Sequence, residues 1–248
     1  NIIARMQSLE YDRSFLAARI LLDKINANMI ISGAFGLFEK KTVIAVGGYD
    51  SSTMGEDMEL VVRLHEFSRM NRKPYKIDFA QDAICWSQTP EKLSELGKQR
   101  KRWQRGLFQC MWGHRKMLAN PRYGAVGLLS YIYFLFYELL SPFIELFGIL
   151  TMVLSVMMDM LNVKFMLVFL ACYALYGILL TLTAYFSRIY TIDQRLSFRE
   201  LSLAITACFF ETTFLRFYLA FVRVTAFVGY KKNKLNWGKL ERKKMNRI

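Results

Sequence analysis

Three apolar blocks in the second half of the chain limit what it can fold into. Residues 124–158 form the longest, interrupted by Glu138, Pro142 and Glu145. Residues 165–187 form an unbroken run, and residues 201–228 form a third that contains Glu211, Arg216 and Arg223. The middle run alone has about the length needed to cross ~30 Å of hydrocarbon as a helix. The 248-residue chain is 54% apolar, yet it carries 34 Lys and Arg and a formal charge of +14. Basicity of that size points to nucleic acid or to a membrane surface. The positions of the cations decide between the two. They gather from Lys98 to Arg122, just before the blocks, and from Lys231 to Arg247, just after them. Cations at the ends of apolar spans mark an integral membrane protein, so membrane lipids are expected partners and nucleic acid is not.

The number of crossings stays open. Three would put the two basic clusters on opposite sides, whereas the positive-inside bias prefers them on one side. Splitting the first block at Pro142 gives four short crossings. Alternatively, residues 124–141 lie along the interface as an amphipathic helix. The expectation is that both ends are cytoplasmic. The chain opens on Asn1 without a basic segment followed by an apolar one, so it does not start like a signal peptide. It reads as a processed chain or as part of a longer one. Cys85, Cys110, Cys172 and Cys208 are widely spaced and suggest neither a disulfide framework nor a metal site.

Residues 1–123 are mixed in polarity. Apolar side chains at helical spacing predict a helix over 7–25. The segment "NMIISGAFGLFEKKTVIAVGGYD" reads as strands and turns, as does "PYKIDFAQDAICWSQ". Between them "GEDMELVVRLHEFSRM" reads as a helix with Leu60, Leu64 and Phe67 on one face. A further helix is expected from "TPEKLSEL" towards His114, with Thr89 as N-cap and Pro90 at its first position. Such alternation suggests the second half of an α/β domain over 1–123. Membrane helices over 124–230 and a basic cytoplasmic tail over 231–248, with Trp237 at an interface, complete the division.

Three short stretches could carry chemistry. Gly55-Glu56-Asp57 puts two carboxylates at a helix start. Acids there complement the helix dipole; one of them is also placed to act as a general base. Gln99, Arg102 and Trp103 lie at i, i+3 and i+4 and share a helix face. A tryptophan at that spacing packs a core. It also offers a platform for a sugar ring, beside an arginine that can bind a diphosphate. The cations Lys98, Lys101, Arg105, Arg115, Lys116 and Arg122 read as head-group contacts. In "ISGAFGLF", Gly33, Ala34 and Gly36 make a tight turn or let a bulky substrate approach the backbone.

In combination and in this order, "GAFG", "GGYD", "GED", "TPE" and "QRKRW" followed by membrane helices resemble the membrane-bound family 2 glycosyltransferases. Cellulose, chitin, hyaluronan and poly-N-acetylglucosamine synthases are among them. Gln99, Arg102 and Trp103 match the family's Q-x-x-R-W, and Gly55, Glu56 and Asp57 its T/G-E-D. The resemblance implies the C-terminal half of a GT-A domain on the cytoplasmic face of the plasma (inner) membrane, followed by a transmembrane bundle. It implies inverting transfer from a nucleotide-diphospho-sugar to a glycan. Asp57 would be the base beside Glu56. Gln99, Arg102 and Trp103 would hold acceptor and diphosphate, and Gly33 and Ala34 would line the acceptor site. It also implies a divalent metal, Mg2+ or Mn2+, held by a D-x-D motif. No D-x-D occurs in this sequence, so the metal ligands and the nucleotide-binding half are expected outside it, and residues 1–248 alone are expected to be inactive. Two other readings remain: a non-processive transferase acting on a lipid acceptor, and a membrane scaffold or channel with a degenerate transferase domain. An export subunit is not identifiable. Glu211 and Arg216 would pair with each other or line a glycan path, and Glu138 and Glu145 admit the same two readings.

Overall fold

The computed structural model describes residues 1–80, 83, 85, 87–192 and 197–231. The expected basic tail and Trp237 lie outside them, apart from Lys231. Every regular element among the described residues is helical. A helix covers the predicted 7–25 and begins earlier. Helix α1 (Ile2–Tyr11) passes through a π-helical turn (Asp12–Ala17) into α2 (Ala18–Lys24). Asn1 caps it by accepting from the Ile3 N–H at 2.9 Å.

The strands expected over 28–50 and 74–88 are absent among the described residues. A strand needs a backbone ladder, and side chains occupy those groups instead. The Ile77 N–H donates to Asn26 Oδ1 at 2.9 Å and the Phe79 N–H to Asp23 Oδ1 at 2.8 Å. The Tyr75 carbonyl accepts from Asn26 Nδ2 at 3.0 Å. The β-branched run "KKTVIA" forms the short helix α3 (Lys40–Ala45). There Val43 and, just past its end, Val46 pack on a cluster built from Leu60, Val61 and Leu64. Burial against a neighbour outweighs β-propensity here.

Helix α4 (Glu56–Met70) starts at Gly55, and α5 (Leu93–Gly113) starts at Lys92. Thr89 and Pro90 therefore precede α5 instead of capping it. The carbonyls of Pro90 and Glu91 accept from Gln7 Nε2 at 2.8 Å and Asn1 Nδ2 at 2.9 Å, which ties this stretch to α1. The helices α4 and α5 touch backbone to backbone. A Cβ built on Gly106 would lie 2.7 Å from the Gly55 nitrogen and 2.8 Å from its Cα, so neither position tolerates a side chain. Gln109 Oε1 adds bonds from the Met54 N–H (2.8 Å) and the Thr53 hydroxyl (3.2 Å). At the far end His114 Nδ1 meets Glu66 Oε2 at 2.6 Å.

Three helices are long and apolar enough to cross a membrane: Val126–Met157, Val163–Tyr190 and Phe198–Thr225, here the first, second and third span. The first is continuous through Pro142, against the alternative of a split there. Its 32 residues measure about 48 Å at ~1.5 Å per residue, well beyond ~30 Å of hydrocarbon. Pro142 has no N–H to give the carbonyl four residues back. That carbonyl, on Glu138, instead accepts from Arg223 Nη2 on the third span. The preceding π-helical stretch (Phe134–Leu140) frees the Leu139 carbonyl, which accepts from Gln104 Nε2 of α5 at 3.0 Å. Gln104 Oε1 in turn accepts from Arg223 Nε at 2.7 Å.

Packing crosses residue 123. Val126, Tyr131 and Leu139 of the first span share a core with Met58, Val62, Cys110 and Met111 of α4 and α5. Met6 and Leu9 of α1 and Leu96 of α5 share another with Ala207, Cys208, Leu215 and Leu219 of the third span.

Candidate active site

The two carboxylates of "GED" open α4, as the sequence predicts. Asp57 serves two neighbours: its Oδ1 accepts from the Met58 N–H at 2.8 Å and its Oδ2 from the Gly33 N–H at 3.1 Å. The second bond brings "SGAFG" to the base of α4, across 24 residues of sequence. The Gly55–Gly106 contact then sets the start of α4 against the middle of α5, one turn beyond Arg102 and Trp103. Gly33, Ala34, Glu56, Asp57, Gln99, Arg102 and Trp103 all line one cavity of about 1800 Å³. The structure thus brings residues of all three stretches to one cavity; Gly36 of the third is not among its lining residues.

It also supplies residues that the motifs did not nominate. Arg100, beside the matched Gln99, is buried and stacks its guanidinium 4.5 Å from the Trp103 ring centroid. It binds Glu10 Oε2 at 2.6 Å and lies 5.6 Å from the Tyr11 ring. Trp103 therefore packs into an arginine and tyrosine cluster, as the packing reading expects, and also lines the cavity. Gln99 Oε1 is buried and has no hydrogen-bond partner, an acceptor suited to a hydroxyl donor. Arg19 of α2 lines the same cavity. Burial pushes its guanidinium down, and the charge of Asp57 opposes that shift. Arg100 left a trace in the sequence, a cation inside an otherwise apolar helical stripe. Arg19 left none, because a helix of unknown partner gives no sign of which charge it will bury.

Of the cations read as head-group contacts, Lys98, Arg115, Lys116 and Arg122 are exposed. Arg105 is not one of these: its Nε donates to the Ala226 carbonyl at 2.7 Å, closing the end of the third span.

The cavity continues from Asp57 between α1 and the spans, where it is lined by Tyr133, Tyr137, Glu145, Tyr173, Tyr176 and Leu180 among others. Glu211 and Arg216 do not pair with each other. Glu211 takes a two-pronged bond from Arg13 of the π-helical turn (2.8 and 2.9 Å), and Arg13 also donates to Thr181 at 2.6 Å. Arg216 binds Glu145 of the first span at 2.5 and 3.0 Å. Intervening π-helical residues (Glu211–Leu215) and competing partners on other helices redirect both charges. Each is nonetheless compensated, as a charge within an apolar span must be.

A divalent metal does not fit the donors present. Among the described residues no three His, Cys, Asp or Glu side chains converge. Glu59, the nearest acid after Glu56 and Asp57, turns to Arg63 at 2.7 Å and His114 at 3.4 Å.

Comparison with known proteins agrees with the motifs. A sequence profile for glycosyl transferase family group 2 matches residues 1–228. The chain belongs to this family. It is 32% identical over 120 residues to poly-beta-1,6-N-acetyl-D-glucosamine synthase of Staphylococcus aureus strain COL. It is 31% identical over the same length to the enzyme of that name from Staphylococcus epidermidis. Each match covers 48% of this chain and 26% of the relative. No solved structure matches the chain.

Proposed function

We propose that the chain is the membrane-embedded part of a glycosyltransferase that adds sugars to a growing polysaccharide. One observation carries the reading: a base candidate, Asp57, and a sugar-and-diphosphate face, Gln99, Arg102 and Trp103, open on a single cavity that runs on between the apolar helices. Asp57 takes the proton from the acceptor hydroxyl. The oxygen then attacks the anomeric carbon of a nucleotide-diphospho-sugar as the bond to the diphosphate breaks, and the diphosphate leaves with the electron pair. Attack opposite the leaving group inverts the anomeric centre. Trp103 seats the acceptor ring, Gln99 Oε1 accepts from one of its hydroxyls, and Arg102 stabilises the diphosphate. The nucleotide pocket and any metal ligands come from outside these residues, within a GT-A domain on the cytoplasmic side of a multi-pass protein. The relatives' product makes a nucleotide-diphospho-N-acetylglucosamine the first donor to test.

In the full-length protein, Asp57→Asn is expected to abolish transfer from labelled nucleotide sugars in isolated membranes. Its membrane level should stay near normal, because the single amide oxygen can keep one of the two bonds that Asp57 accepts, from Gly33 or from Met58. Wild-type turnover in this variant would remove the base assignment. In the wild-type protein, turnover confined to a single addition on a lipid would favour the non-processive reading.

A further inference from the structure

A second concavity lies at the other end of α4, away from the cleft. It measures about 750 Å³, and Arg69, Arg72, Lys73 and Arg122 line it with no carboxylate among them. Four cations around one hollow repel each other, so the arrangement favours an anion. One of them is fixed in place. Arg69 Nε donates to the Tyr75 hydroxyl at 3.0 Å, and its guanidinium lies 5.4 Å from the Tyr75 ring centroid. Tyr75 donates onward to His65 Nδ1 at 2.7 Å. The opposite ring nitrogen, Nε2, faces the Asn28 carbonyl at 2.7 Å and must therefore carry the hydrogen. His65 is fully buried and burial lowers its pKa to about 4. It stays neutral, and Nδ1 remains an acceptor. The chain from Arg69 to Asn28 is thus polarised in one direction. Gly124, with φ +61, leaves the arginine its space: a Cβ there would lie 3.2 Å from Arg69 Cζ and Nη1.

Neither terminal nitrogen of Arg69 has a hydrogen-bond partner among the described residues. Glu66, one turn earlier on α4, is taken by His114. A rigid guanidinium fork with spare donors, flanked by other cations, matches the oxygens of a phosphate group. Arg122 stands four residues before Val126, where the first span begins, which is head-group depth in a bilayer. We propose that this hollow is a phosphate-binding site, separate from the cleft. Its ligand is either the phosphodiester of an anionic lipid or a soluble phosphate compound.

The test uses the full-length protein in nanodiscs. In one arm the lipid is phosphatidylcholine with or without phosphatidylglycerol, and retained lipid is counted by native mass spectrometry. In the other, inorganic phosphate or pyrophosphate is titrated into phosphatidylcholine nanodiscs, and the thermal midpoint is followed. Arg122→Gln removes an exposed cation without touching the Tyr75 chain; Arg69→Lys keeps the charge but removes the guanidinium fork. Both are expected to weaken binding tenfold or more, and Lys41→Gln, an exposed cation on α3, is expected to leave it unchanged. Retention of phosphatidylglycerol alone identifies the lipid, and a midpoint shift with phosphate alone identifies the soluble ligand. Binding in neither arm overturns the site. So does equal loss in Lys41→Gln, or full binding in Arg69→Lys, since either would mean diffuse surface charge. None of these readouts depends on transferase activity.

Discussion

Gly106 sets the distance between the proposed base and the proposed sugar face. A Cβ there would press on backbone atoms alone, 2.7 Å and 2.8 Å from Gly55 and 3.0 Å from the Met54 carbonyl carbon. No rotamer change relieves such contacts, so α4 and α5 must separate. Gly106→Ala is expected to destabilise the full-length protein by roughly 1–3 kcal/mol. It should also lower transfer per folded molecule at least tenfold, because a shift of about 1 Å at an active site costs on the order of 10²-fold. Thermal midpoint and specific activity in membranes check this; an active, stable variant would mean that the two helices are not held by this contact. At this scale the sequence revealed more about faces than about partners. The spacing of Gln99, Arg102 and Trp103 fixes their common helix face, because i, i+3 and i+4 follow from helical geometry. Arg100 finds Glu10 across 90 residues of sequence, and no local rule points to such a partner.

The apolar blocks were legible as helices because length and hydropathy suffice for that. Pairing inside them was not. Glu211 and Arg216, close in sequence, look like one ion pair, yet each binds a different helix. The same holds for the segments read as strands: their β-branched composition is real, but Asn26 and Asp23 take the backbone groups that a ladder needs. The Arg13–Glu211 pair offers a test between elements. The Glu211 side chain is 4% exposed, so removing its partner leaves a buried, uncompensated charge, which costs about 3–5 kcal/mol. Arg13→Ala is expected to lower unfolding resistance in detergent by that order. The double variant Arg13→Ala, Glu211→Gln should recover a large part of the loss, since an amide carries no charge to compensate. Equal instability in single and double variants would show that Arg13 acts through packing or through Thr181 alone.

For the molecule as a whole, the cavity joins what composition keeps apart. Residues 1–123 and 124–230 differ sharply in charge, yet α1 lies against the second and third spans. One hollow is lined from both sides, by Asp57 and Trp103 as well as by Tyr133, Tyr137, Tyr173 and Leu180. Aromatic rings along the hollow offer successive faces on which sugar rings can stack without being held at one register. If the product leaves by this route, its length depends on the width of the hollow and the chemistry of each addition does not. Leu180 is 45% exposed on the cavity wall, so a larger side chain there enters the hollow without overfilling a core. Leu180→Trp in the full-length protein is therefore expected to shorten the polysaccharide severalfold while leaving the rate of the first transfers to a short acceptor unchanged. Size analysis of labelled product beside initial-rate measurements separates the two effects. Full-length polymer from this variant would mean that the chain leaves elsewhere, whereas loss of the first transfers would place Leu180 within reach of the acceptor site itself.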